Sequence, residues 1–401
     1  MVTLESIQSA RERIAGRVLL SPCSYSESLT RVVGAACYLK LENLQRTGSF
    51  KERGACNKLS ALTPEERARG VVCASAGNHA QGVAYHAQRL GIDATIVMPE
   101  RSPLVKVQNT RNFGARVVLA GSSYDEAAEV AENIRQTEQR VFVHPFNDEA
   151  VIAGQGTVGL EILEQVPDVE AVVVAIGGGG LVAGVGTAVK GLRPDVKVFG
   201  VQTKALPSMR DSIAHGSAVT LPAATTMAEG IAVRRPGALT LEIAKRTVEE
   251  IAVVDDEEIA EAILMLLERE KTVAEGAGAA SVAAVLHERL PIRGKRTVII
   301  LCGGNIDVTL MSRIIDRGLV KSGRLFRFSV RVPDIAGSLA RLATLVAETR
   351  ANILQIHHDR AFAKAELSDV VVELVVETRG FPHIAEVESK LAAAGYVAMP
   401  K

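Results

Sequence analysis

Between positions 71 and 301 the chain alternates short unbroken apolar runs with longer stretches whose apolar residues recur every three or four positions. Val71–Ala74, Ala94–Met98, Arg116–Leu119, 141–143, Ala171–Ala175, 196–201 and 297–301 are such runs, rich in valine and isoleucine. Residues apolar on both faces fit parallel strands covered by helices on each side. The stretches 80–90 and 123–138 have the helical period. Strands and amphipathic helices therefore alternate, and the predicted class is α/β with parallel sheets.

The pattern changes around Lys321-Ser322-Gly323-Arg324. Beyond it 325–332, 352–358 and 367–378 alternate apolar with polar residues, while 335–349 and 383–394 return to the helical period. A short last strand is expected near Tyr396. The order β-α-β-β-α-β predicts a separate α+β domain of ferredoxin-like type over 325–401, following a core over 1–320.

A chain of 401 residues exceeds one ordinary core, which agrees with that division. Lys+Arg and Asp+Glu are both 46, so there is no basic footprint for nucleic acid or an anionic membrane. Positions 1–20 read as a charged helical pattern and not as a signal peptide. No uncharged apolar run approaches the ~20 residues that span a bilayer. The five cysteines have no CxxC spacing. A reduced cytoplasmic protein without a structural metal is expected.

Three turns carry the candidate chemistry. Lys51 lies in Gly-Ser-Phe-Lys-Glu-Arg-Gly, ahead of a helix predicted over 52–59. Lysine is the amine that captures a carbonyl cofactor covalently, although a lone lysine at a helix start is more often just solvated. Gly177, Gly178, Gly179 and Gly180 follow a strong strand and precede a small-residue helix. Glycines there leave backbone N–H groups uncovered beside the positive end of the helix dipole, an arrangement suited to phosphate. Part of a dinucleotide fingerprint is also matched, with Asp195 as a weak acidic partner. Ser75-Ala76-Gly77-Asn78-His79 likewise leaves a strand and enters a helix, suited to a carboxylate or a cofactor oxygen. Taken singly, Ser75 needs no role beyond capping.

Residues 39–55 and 75–82, the tetraglycine and Cys302-Gly303-Gly304-Asn305 together resemble, in order, four motifs of the pyridoxal-phosphate-dependent serine/threonine dehydratases. The resemblance covers 1 to about 320. It implies the two-lobed fold type II, with a smaller lobe at 52–150 and a larger lobe at 1–51 and 151–320. The cofactor implied is pyridoxal 5'-phosphate, held covalently by Lys51, which also removes the substrate Cα proton. By the same resemblance Gly177 to Gly180 bind the cofactor phosphate, Asn78 the ring oxygen, Phe50 flanks the ring, and Cys302 meets the pyridine nitrogen. Ser75, Ala76, Gly77 and His79 line the pocket for the substrate carboxylate.

The reaction implied is α,β-elimination of L-threonine or L-serine to a 2-oxo acid and ammonia. Related racemases have a serine where this chain has Ala76, so elimination without racemisation is expected. Some relatives have a glutamate cation ligand near the position of Gln202, and no metal is assigned here. Residues 325–401 resemble an ACT domain, an amino-acid-sensing module. Its effector, isoleucine first among candidates, is expected at Ile335, Gly337, Ser338, Asn352 and Ile353, between paired copies of a homodimer or homotetramer. Glu275 reads equally well as a helix-start carboxylate or a group beside the cofactor ring. Of His357 and His358 at most one can face inward, so they are not expected to form a metal pair. Other readings of the same fold are a β-replacement enzyme and a catalytically idle amino-acid sensor.

Overall fold

The computed structural model describes residues 1–359 and 368–401. The chain divides into two compact units, Met1–Ile306 and Asp307–Lys401. Among the described residues no helix is long and apolar enough to cross a membrane.

The first unit holds ten strands: β1 (Cys23–Tyr25), β2 (Ala36–Leu41), β3 (Val71–Ala74), β4 (Ala94–Met98), β5 (Arg116–Leu119), β6 (Val141–Phe142), β7 (Ala171–Ala175), β8 (Lys197–Thr203), β9 (Glu250–Val254) and β10 (Arg296–Leu301). The smaller lobe is a four-stranded sheet in the order β5-β4-β3-β6, parallel throughout. The larger lobe is a six-stranded sheet in the order β1-β2-β10-β7-β8-β9, parallel except for the β1–β2 pair. β3, β4 and β7 are buried at every position, which is why their sequences lack alternation. The pattern missed β1, β2 and β9. β2 carries a wholly buried Lys40 within its apolar run, and β9 is buried only at alternate positions. In such open parallel sheets ligands gather at the carboxyl ends of the strands. The turns bearing Ser75, the tetraglycine and Cys302 lie directly beyond the carboxyl ends of β3, β7 and β10, and Lys51 follows β2 after the short helix Glu42–Leu44.

The second unit starts earlier than the expected boundary near 320. The helix Val308–Lys321 belongs to it, because a left-handed Gly323 (φ 65) turns the chain directly into β11 (Leu325–Pro333), against which the helix packs. With β12 (Asn352–Asp359), β13 (Asp369–Glu377) and β14 (Met399–Pro400) it forms an antiparallel sheet in the order β12-β13-β11-β14. The helices Ser338–Glu348 and Phe381–Ala393 share a core with the buried positions of β11 and β13. The strand predicted from Leu367 has that first residue outside the described residues. His357 and His358, on the edge strand β12, are both exposed.

Candidate active site

The segment before Lys51 is fixed from behind. Phe50 N–H donates to the Cys302 carbonyl at 3.1 Å and Gly304 N–H to the Gly48 carbonyl at 2.9 Å, so the exit of β10 pins the turn. Lys51 opens the helix Lys51–Ser60, and its Nζ donates to the Pro145 carbonyl at 2.7 Å. The amine also lies 5.3 Å from the Phe50 ring centroid. Burial lowers its pKa to about 8 and outweighs the opposite influence of Cys302 and Glu275. A lysine is thereby brought close to the neutral form that a nucleophile or base requires.

The tetraglycine turn is packed tightly. Gly179 adopts φ 96, and a Cβ there would lie 2.5 Å from Met209 Cε; a Cβ on Gly178 would overlap the Phe146 ring. The Gly178 carbonyl accepts the Thr240 hydroxyl at 2.6 Å. The helix Gly180–Leu192 then begins without a side-chain cap, so its first amides remain for an anion. Pro145 and Phe146 connect the two features: one meets the Lys51 amine, the next packs on the glycine turn. This loop was missed from sequence. Its signal was a His-Pro pair directly after the 141–143 run. His144 Nδ1 accepts the Phe146 and Asn147 N–H groups, and burial holds its pKa down at about 4, so it is neutral.

Across the cleft, Ser75 Oγ accepts the Gly77 N–H at 3.2 Å, and the helix Asn78–Leu90 starts without a side-chain cap. Space above Gly77 is open, unlike that at the tetraglycine. His79 turns inward instead: Nε2 meets the Val143 carbonyl at 2.9 Å, and burial lowers its pKa to about 3. Any part it takes at the cleft is through its main chain. Ala76 packs against the small-lobe core. Cys302 is buried with Sγ 3.3 Å from the Ala277 carbonyl, and burial pushes its pKa up, so it stays a thiol.

Glu275 proves more than a helix-start carboxylate. It occupies the N-cap of Gly276–Leu286 but does not cap it; Oε1 accepts Asn78 Nδ2 at 2.6 Å. Burial raises its pKa to about 7, against the lowering by Asn78 and Lys106. Asp255, by contrast, does cap its helix, in a capping box with Glu258. Gln202 is buried with both amide ends occupied, by Ile176 O and Arg210 N.

A lysine of reduced basicity, linked through Pro145 and Phe146 to an uncapped glycine turn at a helix start, suits an enzyme that binds a phosphorylated carbonyl cofactor. The chain belongs to the pyridoxal-phosphate-dependent enzymes, a family matched by residues 15–303. It is 52% identical over 396 residues to the L-threonine ammonia-lyase of Thermotoga maritima, covering 99% of this chain and 98% of that one. Solved structures of similar fold include maize serine racemase (TM-score 0.75, 35% identity, 80% of this chain and 98% of that one). Another is threonine deaminase isoform 2 from Solanum lycopersicum (TM-score 0.74, 36% identity, 78% and 86%).

The lowered amine and the uncapped glycine turn suit pyridoxal phosphate, and they make a measurable prediction. Only the unprotonated amine reacts with an aldehyde, and a pKa lowered to about 8 sets where that form predominates. Cofactor uptake by the apo-protein, followed by stopped-flow absorbance, should quicken about tenfold per pH unit up to about pH 8 and then level off. A rate still climbing toward about pH 10 would show an ordinary lysine.

Proposed function

We propose that the protein eliminates water from L-threonine, and from L-serine, releasing 2-oxobutanoate or pyruvate and ammonia. The observation that carries this reading is Lys51, held at the Pro145 carbonyl with its pKa lowered to about 8. When bound, the cofactor supplies an electron sink for the pair left at the substrate Cα. Lys51 would hold the cofactor covalently until the substrate amine displaces it, and the freed Lys51 amine would then take the Cα proton, for which a near-neutral pKa is suited. Gly177 to Gly180 hold the phosphate through their amides. Phe50 flanks the ring and Asn78 meets its oxygen. Ser75, Ala76, Gly77 and the His79 main chain receive the substrate carboxylate at the uncapped helix start. Cys302, kept as a thiol, offers the ring nitrogen no carboxylate charge, which favours prompt loss of the β-hydroxyl over a persistent carbanion. Ala76 has no proton to deliver, which supports elimination without racemisation.

Control by an amino acid is part of the reading. Ile335, Gly337 and Ser338 lie at the β11–helix turn, where Ile335 is 70% exposed. Asn352 and Ile353 begin β12. The register aligns Pro333 with Asp369, but Asn352 and Leu325 with Glu377. The two segments therefore sit at opposite ends of the sheet, roughly 27 Å apart at the rise of a strand. A pocket using both needs a second copy, in keeping with a homodimer or homotetramer. Isoleucine is the first candidate effector.

The test is 2-oxo-acid release from L-threonine and L-serine, with and without isoleucine, with the chirality of residual serine analysed. Release from threonine, inhibited by isoleucine, is the expected result. Turnover indifferent to isoleucine would point to a catabolic lyase with another effector. No oxo acid from either substrate, or rapid formation of D-serine, would overturn the reaction assigned.

A further inference from the structure

We infer that Asn305 and Glu275 are positioning residues that fix which end of the Asn78 amide meets the cofactor. An amide side chain can present a donor or an acceptor, and the network around it decides between them. Here the decision starts at the Thr47 carbonyl, four residues before Lys51. A backbone carbonyl only accepts, so the Asn305 group facing it at 2.7 Å must be the NH2. The same Nδ2 donates to Asn78 Oδ1 at 2.8 Å, which uses both of its hydrogens. Asn78 must therefore turn its oxygen toward Asn305. Its Nδ2 then points to Glu275 Oε1 at 2.6 Å, an acceptor suited to it. One Asn78 N–H is left, and it can only donate.

Turned over, Asn78 would set its oxygen against the Glu275 oxygen and its NH2 against that of Asn305. The second contact would be repulsive throughout, and the first wherever Glu275 is ionised. Asn78 belongs to the smaller lobe, whereas Thr47, Glu275 and Asn305 belong to the larger, so the relay also fastens the two lobes at the site. Gly303 makes room for it: a Cβ there would lie 2.5 Å from Glu275 Oε1 and 3.1 Å from Asn78 Nδ2. The remaining donor suits a cofactor ring oxygen that carries negative charge. The relay rests on the family's cofactor and not on the choice of substrate.

Cofactor binding is therefore measured without substrate, by fluorescence titration of apo-protein. Glu275→Gln keeps an acceptor for Asn78 Nδ2 and should bind within about twofold of the parent. Glu275→Ala and Asn305→Ala leave one end of the Asn78 amide unopposed and should weaken binding about tenfold, with circular dichroism unchanged. The rescue by glutamine separates orientation of an amide from burial of a charge. Alanine variants that bind as the parent does would overturn the relay. So would a well-folded Glu275→Gln protein as impaired as Glu275→Ala.

Discussion

Replacing Lys51 with alanine is expected to lower kcat by at least about 10³-fold while leaving the protein folded. General acid–base catalysis alone is worth roughly 10²–10⁴-fold, and Lys51 loses its covalent role as well. The structural cost is small. Lys51 is the first residue of its helix, partly buried, and its ammonium makes one hydrogen bond, to Pro145 O. A single neutralised contact of that kind contributes about 1–3 kcal/mol. The phosphate site proposed at the tetraglycine does not involve the amine, so the cofactor should still bind, now reversibly. Borohydride reduction, which fixes the cofactor to its amine, should label the parent at Lys51 and leave the variant unlabelled. Turnover within about tenfold of the parent would remove Lys51 from the reaction.

What could be read from the chain follows the physics of each feature. The strands β3, β4 and β7 are buried on both faces, and unbroken apolar runs reveal them. β2 resists the same reading because Lys40, near its end, and Glu42, just beyond it, are charged yet wholly buried. Their partners are supplied by distant segments, which local patterning does not contain. The same limit hid the His144-to-Asn147 loop and left Glu275 ambiguous. In each case the function of a side chain is decided by a neighbour far away in sequence: Lys51 for the first, Asn78 for the second. The turns that bear Lys51 and the glycines were legible because their composition is itself the signal. The opposite placement of Ile335 and Asn352 was not, since strand register is a property of pairs and not of one strand.

Arg53→Met is expected to cost about 3–5 kcal/mol of stability, the usual consequence of removing one partner from a buried ion network. Arg53 follows Lys51 by two residues, and its guanidinium is wholly buried. It meets Glu42 at 2.7 and 2.8 Å and Glu161 at 2.6 and 2.8 Å. Glu161 also takes Lys40 Nζ at 2.6 Å, and Glu42 takes the Ser21 hydroxyl at 2.5 Å. Two cations and two carboxylates thus neutralise one another out of reach of solvent. Met fills most of the volume of Arg53 but leaves the two carboxylates with Lys40 as the one cation of the network. The loss should appear as a large fall in the unfolding temperature at neutral pH and as weaker retention of cofactor, because the helix that starts at Lys51 is anchored by this residue. Arg53→Lys keeps the charge but gives up the paired two-pronged contacts, so it should fall between the parent and Met. Glu42→Leu combined with Arg53→Met removes a cation and an anion together, and should recover part of the single variant's loss. An Arg53→Met protein as stable as the parent would show that the pairing of Arg53 with these carboxylates contributes nothing to stability.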